Sequence, residues 1–124
     1  MKKVLIIDDE KDFCAFVKMN LELTGLYSVT VATTGAEGIA EASRCVPEII
    51  LLDVMMPDMS GFDALREIKG KKATASIPVV MLTAISTDEA KAKATGLYNE
   101  DYLVKPIAVS ELRAKIDGVL SRRF

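Results

Sequence analysis

The segment Pro47-Glu48-Ile49-Ile50-Leu51-Leu52-Asp53 decides the fold. Four consecutive apolar residues leave no polar face, so they predict a short strand covered on both sides, as in a parallel sheet. The run stops abruptly at a carboxylate. The same grammar opens the chain, where Val4-Leu5-Ile6-Ile7 meets Asp8 and Asp9, and returns where Val79-Val80-Met81-Leu82 meets Thr83. A shorter run, Tyr102-Leu103-Val104, ends at Lys105-Pro106. Ser28 to Thr33 differs: polar residues alternate with Val29 and Val31, which predicts a strand near a sheet edge.

Helical spacing fills the intervals. Phe13, Phe16, Val17 and Leu21 predict a helix from Asp9 to about Thr24, with Gly25 as its stop. A second, weaker helix is expected from Thr34-Gly35 to Arg44, because Gly38 in its interior costs about 1 kcal/mol against alanine. Phe62, Leu65 and Ile68 mark a third, residues 87–95 a fourth, and Leu112, Ile116 and Val119 the last. Five such strand-then-helix units imply an α/β, doubly wound, five-stranded parallel sheet with helices on both faces and right-handed crossovers. Placing the alternating second strand at an edge gives the order 2-1-3-4-5, a flavodoxin-like arrangement. Its working crevice lies beyond the carboxyl ends of strands one and three. Asp8, Asp9 and Asp53 should meet there.

Bulk properties narrow the chemistry. The chain has 124 residues, enough for one domain spanning 1–124, and a formal charge of -2. Direct nucleic-acid binding is not expected from that balance. No apolar run approaches the roughly 20 residues of a membrane-spanning helix, and the basic start reaches two aspartates too soon for a secretory core. A cytoplasmic protein without a membrane partner is expected. Cys14 and Cys45 stand far apart, so both read as small buried hydrophobes. With 0 histidines the chain lacks Ser/His/Asp catalysis, the common zinc sites and any phosphohistidine of its own.

Taken singly, each strand-end polar residue has an ordinary explanation. Asp8 and Asp9 suit a helix cap, Asp53 a turn, Thr83 a β-former near a helix start and Lys105 a solvated charge. Their joint placement in one crevice is the discriminating feature. Three carboxylates repel unless a cation joins them, and an all-oxygen set favours Mg2+, with Mn2+ also suited. A carboxylate is a competent nucleophile for phosphoryl transfer, so Asp53 is the candidate acceptor. Lys105 supplies a cation and Thr83 a hydroxyl for the new phosphoryl oxygens.

At these residues the chain resembles the receiver domain of two-component response regulators, of the single-domain, chemotaxis-regulator-like type. The motifs are Ile-Ile-Asp-Asp-Glu at 6–10, Pro-Glu-Ile-Ile-Leu-Leu-Asp at 47–53, Met56-Pro57 with Gly61, Leu82-Thr83-Ala84, and Asp-Tyr-Leu-Val-Lys-Pro at 101–106. The resemblance implies a stoichiometric phosphoacceptor rather than an enzyme, one that assists its own phosphorylation and dephosphorylation. Asp53 would take its phosphoryl group from a sensor histidine kinase or histidine phosphotransfer protein. Asp8, Asp9, Asp53 and the Met55 backbone carbonyl would hold Mg2+, and Lys105 would contact the phosphoryl group through a cis bond to Pro106. Thr83 and Tyr102 would form the switch, remodelling the face of the fourth predicted helix, fifth strand and last helix toward a downstream protein target. Apolar Met55 and Ile85, at positions that tune phosphoryl lifetime in the family, imply slow self-dephosphorylation.

One departure is the segment Gly96 to Tyr102, two residues longer than the usual approach to the fifth strand. Partner contacts are therefore not transferred to Lys91, Asp101 or Lys115, whose charges read as a solvated face. Three rivals remain. A flavin protein on this fold would place a phosphate against Asp8-Asp9-Glu10, which repels it. An aspartyl phosphatase resembles a pattern of two aspartates one residue apart, whereas these are adjacent. A phosphorylation-independent adaptor has no need of Asp53, Thr83 and Lys105 together.

Overall fold

The computed structural model describes residues 1–84 and 101–122. The helix expected over 87–95, the lengthened segment 96–100, Ile85 and Lys91 lie outside them. Five strands, β1 (Lys2–Ile7), β2 (Tyr27–Ala32), β3 (Ile49–Asp53), β4 (Val79–Thr83) and β5 (Asp101–Val104), form one parallel sheet. Its order is β2-β1-β3-β4-β5, as the sequence predicts. The described helices are α1 (Lys11–Glu22), α2 (Gly35–Cys45), α3 (Gly61–Gly70) and α4 (Val109–Ser121).

Strand geometry splits each apolar run between two cores. Successive side chains point to opposite faces. Val4 and Ile6 of β1 therefore join one cluster with Val17, Leu21, Ile116 and Val119 of α1 and α4. Leu5 and Ile7 join the other, with Ile39, Leu65 and Ile68 of α2 and α3. All five residues of β3 and all five of β4 are buried, which is why these strands carry no alternation in sequence.

Three packing details depart from the sequence reading. The buried stripe of α1 is Cys14, Val17 and Leu21, while Phe16 is 46% exposed. Ridge position, set by contact with β1 and β2, outweighs side-chain hydrophobicity. Cys45 is only half-buried. Gly38 has a packing reason beyond its propensity cost: a Cβ there would stand 2.5 Å from Ile7 Cδ1, so its absence lets α2 lie close on β1.

The margin of the sheet at β2 is occupied by α1. Val29 N–H donates to Glu22 Oε2 at 2.9 Å, and Lys18 Nζ donates to Val29 O at 2.7 Å and to Glu22 Oε2 at 3.1 Å. Two side chains thus satisfy strand groups that no neighbouring strand reaches. At the far end of the sheet from the acidic strand termini, Asp117 Oδ1 accepts from Lys2 Nζ at 2.8 Å and from the buried Tyr27 hydroxyl at 2.7 Å. Among the described residues no helix is long and apolar enough to cross a membrane.

Candidate functional site

Register builds the site. Ile7 pairs with Leu52, so the next residues, Asp8 and Asp53, leave adjacent strands at the same height. Asp53 pairs with Leu82, and Thr83 with Val104, so Thr83 and Lys105 follow one step on each. Backbone bonds continue the ladder past the strands: Asp8 N–H to Ala32 O at 3.0 Å, Val54 N–H to Leu82 O at 3.0 Å, Lys105 N–H to Thr83 O at 2.7 Å. The polar strand ends are held by the sheet itself.

Carboxylate oxygens of Asp8, Asp9 and Asp53 lie within 4.8 Å of one another. Asp8 and Asp53 are buried and Asp9 is exposed. Asp8 does not cap α1, whose N-cap is Glu10 and carries no side-chain cap; its Oδ1 accepts the Glu10 N–H at 2.9 Å in a turn just before the helix. Lys105 enters from the β5 side. Its Nζ donates to Asp8 Oδ2 at 2.6 Å and to Glu10 Oε1 at 2.8 Å, and stands 3.6 Å from Asp53 Oδ1. The Phe13 ring lies beneath the ammonium, 4.6 Å from its centroid. The Lys105-Pro106 bond is cis, as the resemblance implies.

The charges do not balance. Burial disfavours the Lys105 ammonium, yet hydrogen bonds to Asp8 and Glu10 hold it protonated well above its ordinary range. That cation is committed elsewhere, so it only partly relieves Asp53. Burial, and then the neighbouring charge of Asp8, push the Asp53 carboxyl up to about 7, with Asp9 adding to the rise. Among the described residues the cluster gathers more carboxylate than ammonium charge. Its hard oxygen donors fit a divalent ion of the Mg2+ type. Cys14, whose Sγ donates to Asp8 O at 3.3 Å, is pushed up to about 12 by burial and by Asp8, and presents no nucleophile.

Thr83 is 5% exposed at the end of β4. Tyr102, paired with Met81, is half-buried and packs against the core cluster that holds Met81, Leu52 and Ile7. Met55 has an exposed side chain and forms an isolated bridge with Ser60 that closes the loop after β3. Gly61 is required here: a Cβ would stand 2.1 Å from Asp53 O, and its N–H donates to Val54 O at 2.7 Å. The sequence reading missed two roles. Glu10 and Phe13 hold Lys105, though the sequence reading took Glu10 only as part of an acidic run and Phe13 only as core. It also read Asp101 and Lys115 as solvated, whereas they pair at 2.7 Å, and despite burial the Lys115 hydrogen bond holds Asp101 below the usual carboxylate range.

Comparison with known proteins bears on the family and the fold. Residues 4–117 match the model of the response regulator receiver domain. Among curated proteins, the chain is 38% identical over 122 residues to the DNA-binding dual master transcriptional regulator RpaA of Synechocystis, covering 98% of this chain and 50% of that one. It is 33% identical over 121 residues to the alkaline phosphatase synthesis transcriptional regulatory protein PhoP of Bacillus subtilis, covering 98% and 49%. The chain thus spans about half the length of these relatives. Among solved structures, chemotaxis protein CheY4 of Vibrio cholerae superimposes with a TM-score of 0.90 at 30% identity, covering 96% of this chain and 98% of that one. The receiver domain of Francisella response regulator 1452 gives 0.90 at 30% identity over 100% of both chains.

Proposed function

Since this chain belongs to the receiver domain family of two-component response regulators, we propose that residues 1–124 work as one phosphoacceptor switch with Asp53 as the acceptor. The observation that carries the reading is the convergence of Asp8, Asp9 and Asp53 within 4.8 Å beside Lys105. An Asp53 carboxylate oxygen forms a bond to phosphorus as the phosphorus–nitrogen bond of a partner's phosphohistidine breaks, and the imidazole leaves with the electron pair. Asp8, Asp9, Asp53 and the Met55 carbonyl would hold Mg2+, which when bound neutralises the charge gathered around the acceptor. The donor is a sensor histidine kinase or histidine phosphotransfer protein in the cytoplasm.

Lys105 exchanges its hydrogen bonds with Asp8 and Glu10 for the phosphoryl oxygens, and Thr83 donates its hydroxyl to another of them. The added charge of about -1.5 to -2 supplies the differential interaction that a switch requires. Moving a population from 1:99 to 99:1 takes about 5.5 kcal/mol, more than one hydroxyl hydrogen bond provides, so Lys105 and partner binding contribute as well. Tyr102 turns inward, and the face formed by β5, α4 and the predicted helix 87–95 engages a downstream protein. This chain contributes no direct nucleic-acid contact. Apolar Met55 makes self-dephosphorylation slow, and Met55→Asn accelerates it; an unchanged or slower decay would remove that part of the reading.

The test is intact mass after incubation with acetyl phosphate and Mg2+, beside Asp53→Asn and an EDTA-treated sample. One phosphoryl addition, lost in both controls, is expected. No addition, even with a phosphohistidine donor supplied, would make the chain a phosphorylation-independent adaptor.

A further inference from the structure

The loop between β3 and α3 reaches across the crevice rim to a helix that contributes nothing to the acidic cluster. Asp58 Oδ1 accepts the Gly35 N–H at 2.9 Å, and its Oδ2 accepts the Ala36 N–H at 3.0 Å. These are the first two residues of α2, whose orphan donors face outward at the helix start. Thr34, the N-cap, takes the next donor with its own hydroxyl, from Glu37 N–H at 3.1 Å. Both oxygens of Asp58 are therefore spent on a distant element. Hydrogen bonds from Gly35 and Ala36 hold its carboxyl below the usual range, so the fork is charged at neutral pH. Met59 completes the join: a Cβ on Gly35 would stand 2.4 Å from Met59 Cγ.

The other end of the same loop is fixed at the site. Val54 N–H is held by Leu82 O and Gly61 N–H by Val54 O, and Met55 bridges Ser60. Met55 thus sits between a sheet anchor and the Asp58 fork. We infer that Asp58 is a positioning residue for the site, fixing against α2 the loop that presents the Met55 carbonyl, so that cation binding at Asp8, Asp9 and Asp53 is felt at the start of α2. The inference rests on the reading given under Proposed function, since it assigns the Met55 carbonyl to the cation. Partners that orient a ligand typically change metal affinity by about 10-fold or more when removed.

The experiment titrates the whole protein with Mg2+ alone, following affinity by calorimetry and backbone amides by NMR. In the wild type the Gly35 and Ala36 amides shift along with those near Asp53. In Asp58→Ala the Mg2+ affinity falls by about 10-fold, and the remaining response at Ala36 no longer tracks the response near Asp53. Asp58→Asn, which keeps one acceptor, recovers part of the affinity. Thr34→Ala is the structural control: it removes a cap from the same helix end and lowers Tm, yet leaves the Mg2+ affinity in place. Unchanged affinity in a folded Asp58→Ala, or an equal loss in Thr34→Ala, overturns the inference. If Asp58→Ala does not fold, Asp58→Asn decides alone by the same titration. A wild type that binds Mg2+ but takes no phosphoryl group defeats the functional reading and leaves the positioning role standing.

Discussion

The two ends of the sheet use the same residue types to opposite effect. At the amino ends of the strands, Asp117 meets Lys2 and the Tyr27 hydroxyl, one carboxylate shared by two donors. Burial opposes its charge, but those partners hold Asp117 below the usual range, and the Asp117 hydrogen bond raises Lys2. At the carboxyl ends, one lysine faces Asp8, Glu10 and Asp53, and Asp53 is pushed up to about 7. One end gives its carboxylate two partners and contributes to stability. The other keeps an excess of negative charge in a buried place, which is unfavourable until a cation or proton arrives.

The largest effect should come from removing the excess. Asp53 rises from 3.8 to about 7, so between those values the folded chain binds more protons than the unfolded one. Its contribution therefore worsens as pH rises through that window and is most unfavourable above 7. In metal-free buffer above that pH, Asp53→Asn should stabilise the fold by about 2–4 kcal/mol, and with Mg2+ restored it should take up no phosphoryl group. Urea unfolding of the two proteins at pH 5 and pH 8 measures this; a gain of equal size at both values would break the contrast.

Next comes the cation itself. Mg2+ at 100 times its dissociation constant should stabilise the wild type by about 2.7 kcal/mol, read as a rise in Tm that Asp8→Asn largely loses. At the amino end, Tyr27→Phe deletes one hydrogen bond to a carboxylate and should cost about 1 kcal/mol in denaturant unfolding, without altering Mg2+ affinity. Lys2→Ala should cost less, under about 1 kcal/mol, because its side chain is 40% exposed and salt screens the pair. If Tyr27→Phe moved Mg2+ affinity, the two ends would not be independent.

What the sequence revealed follows the same division. Strand runs that end at Asp8, Asp53, Thr83 and Lys105 made both the topology and the crevice legible, because a buried parallel strand leaves an unbroken apolar signature. Side-chain partnerships were not legible in the same way. That Lys105 is shared with Glu10 over Phe13, or that Asp101 meets Lys115, depends on where helices settle against the sheet, and no local pattern carries it. Phe16 illustrates the limit: its spacing suits the α1 stripe, but the smaller Cys14 occupies the buried ridge. Gly38 and Gly61 read as helix cost and loop signal, and their neighbours explain them as close approaches to Ile7 and to the Asp53 carbonyl.

The clip of Lys18 and Glu22 on Val29 also bears on how this protein behaves in a crowd. A parallel sheet with an open margin is a template on which another chain can lengthen the ladder, one strand at a time, into a fibre. Here the template is plugged at Val29 by an ammonium and a carboxylate of the same molecule. A second copy approaching that edge therefore meets Val29 already bonded on both its backbone groups, and neutral substitutions at Lys18 and Glu22 would uncover them.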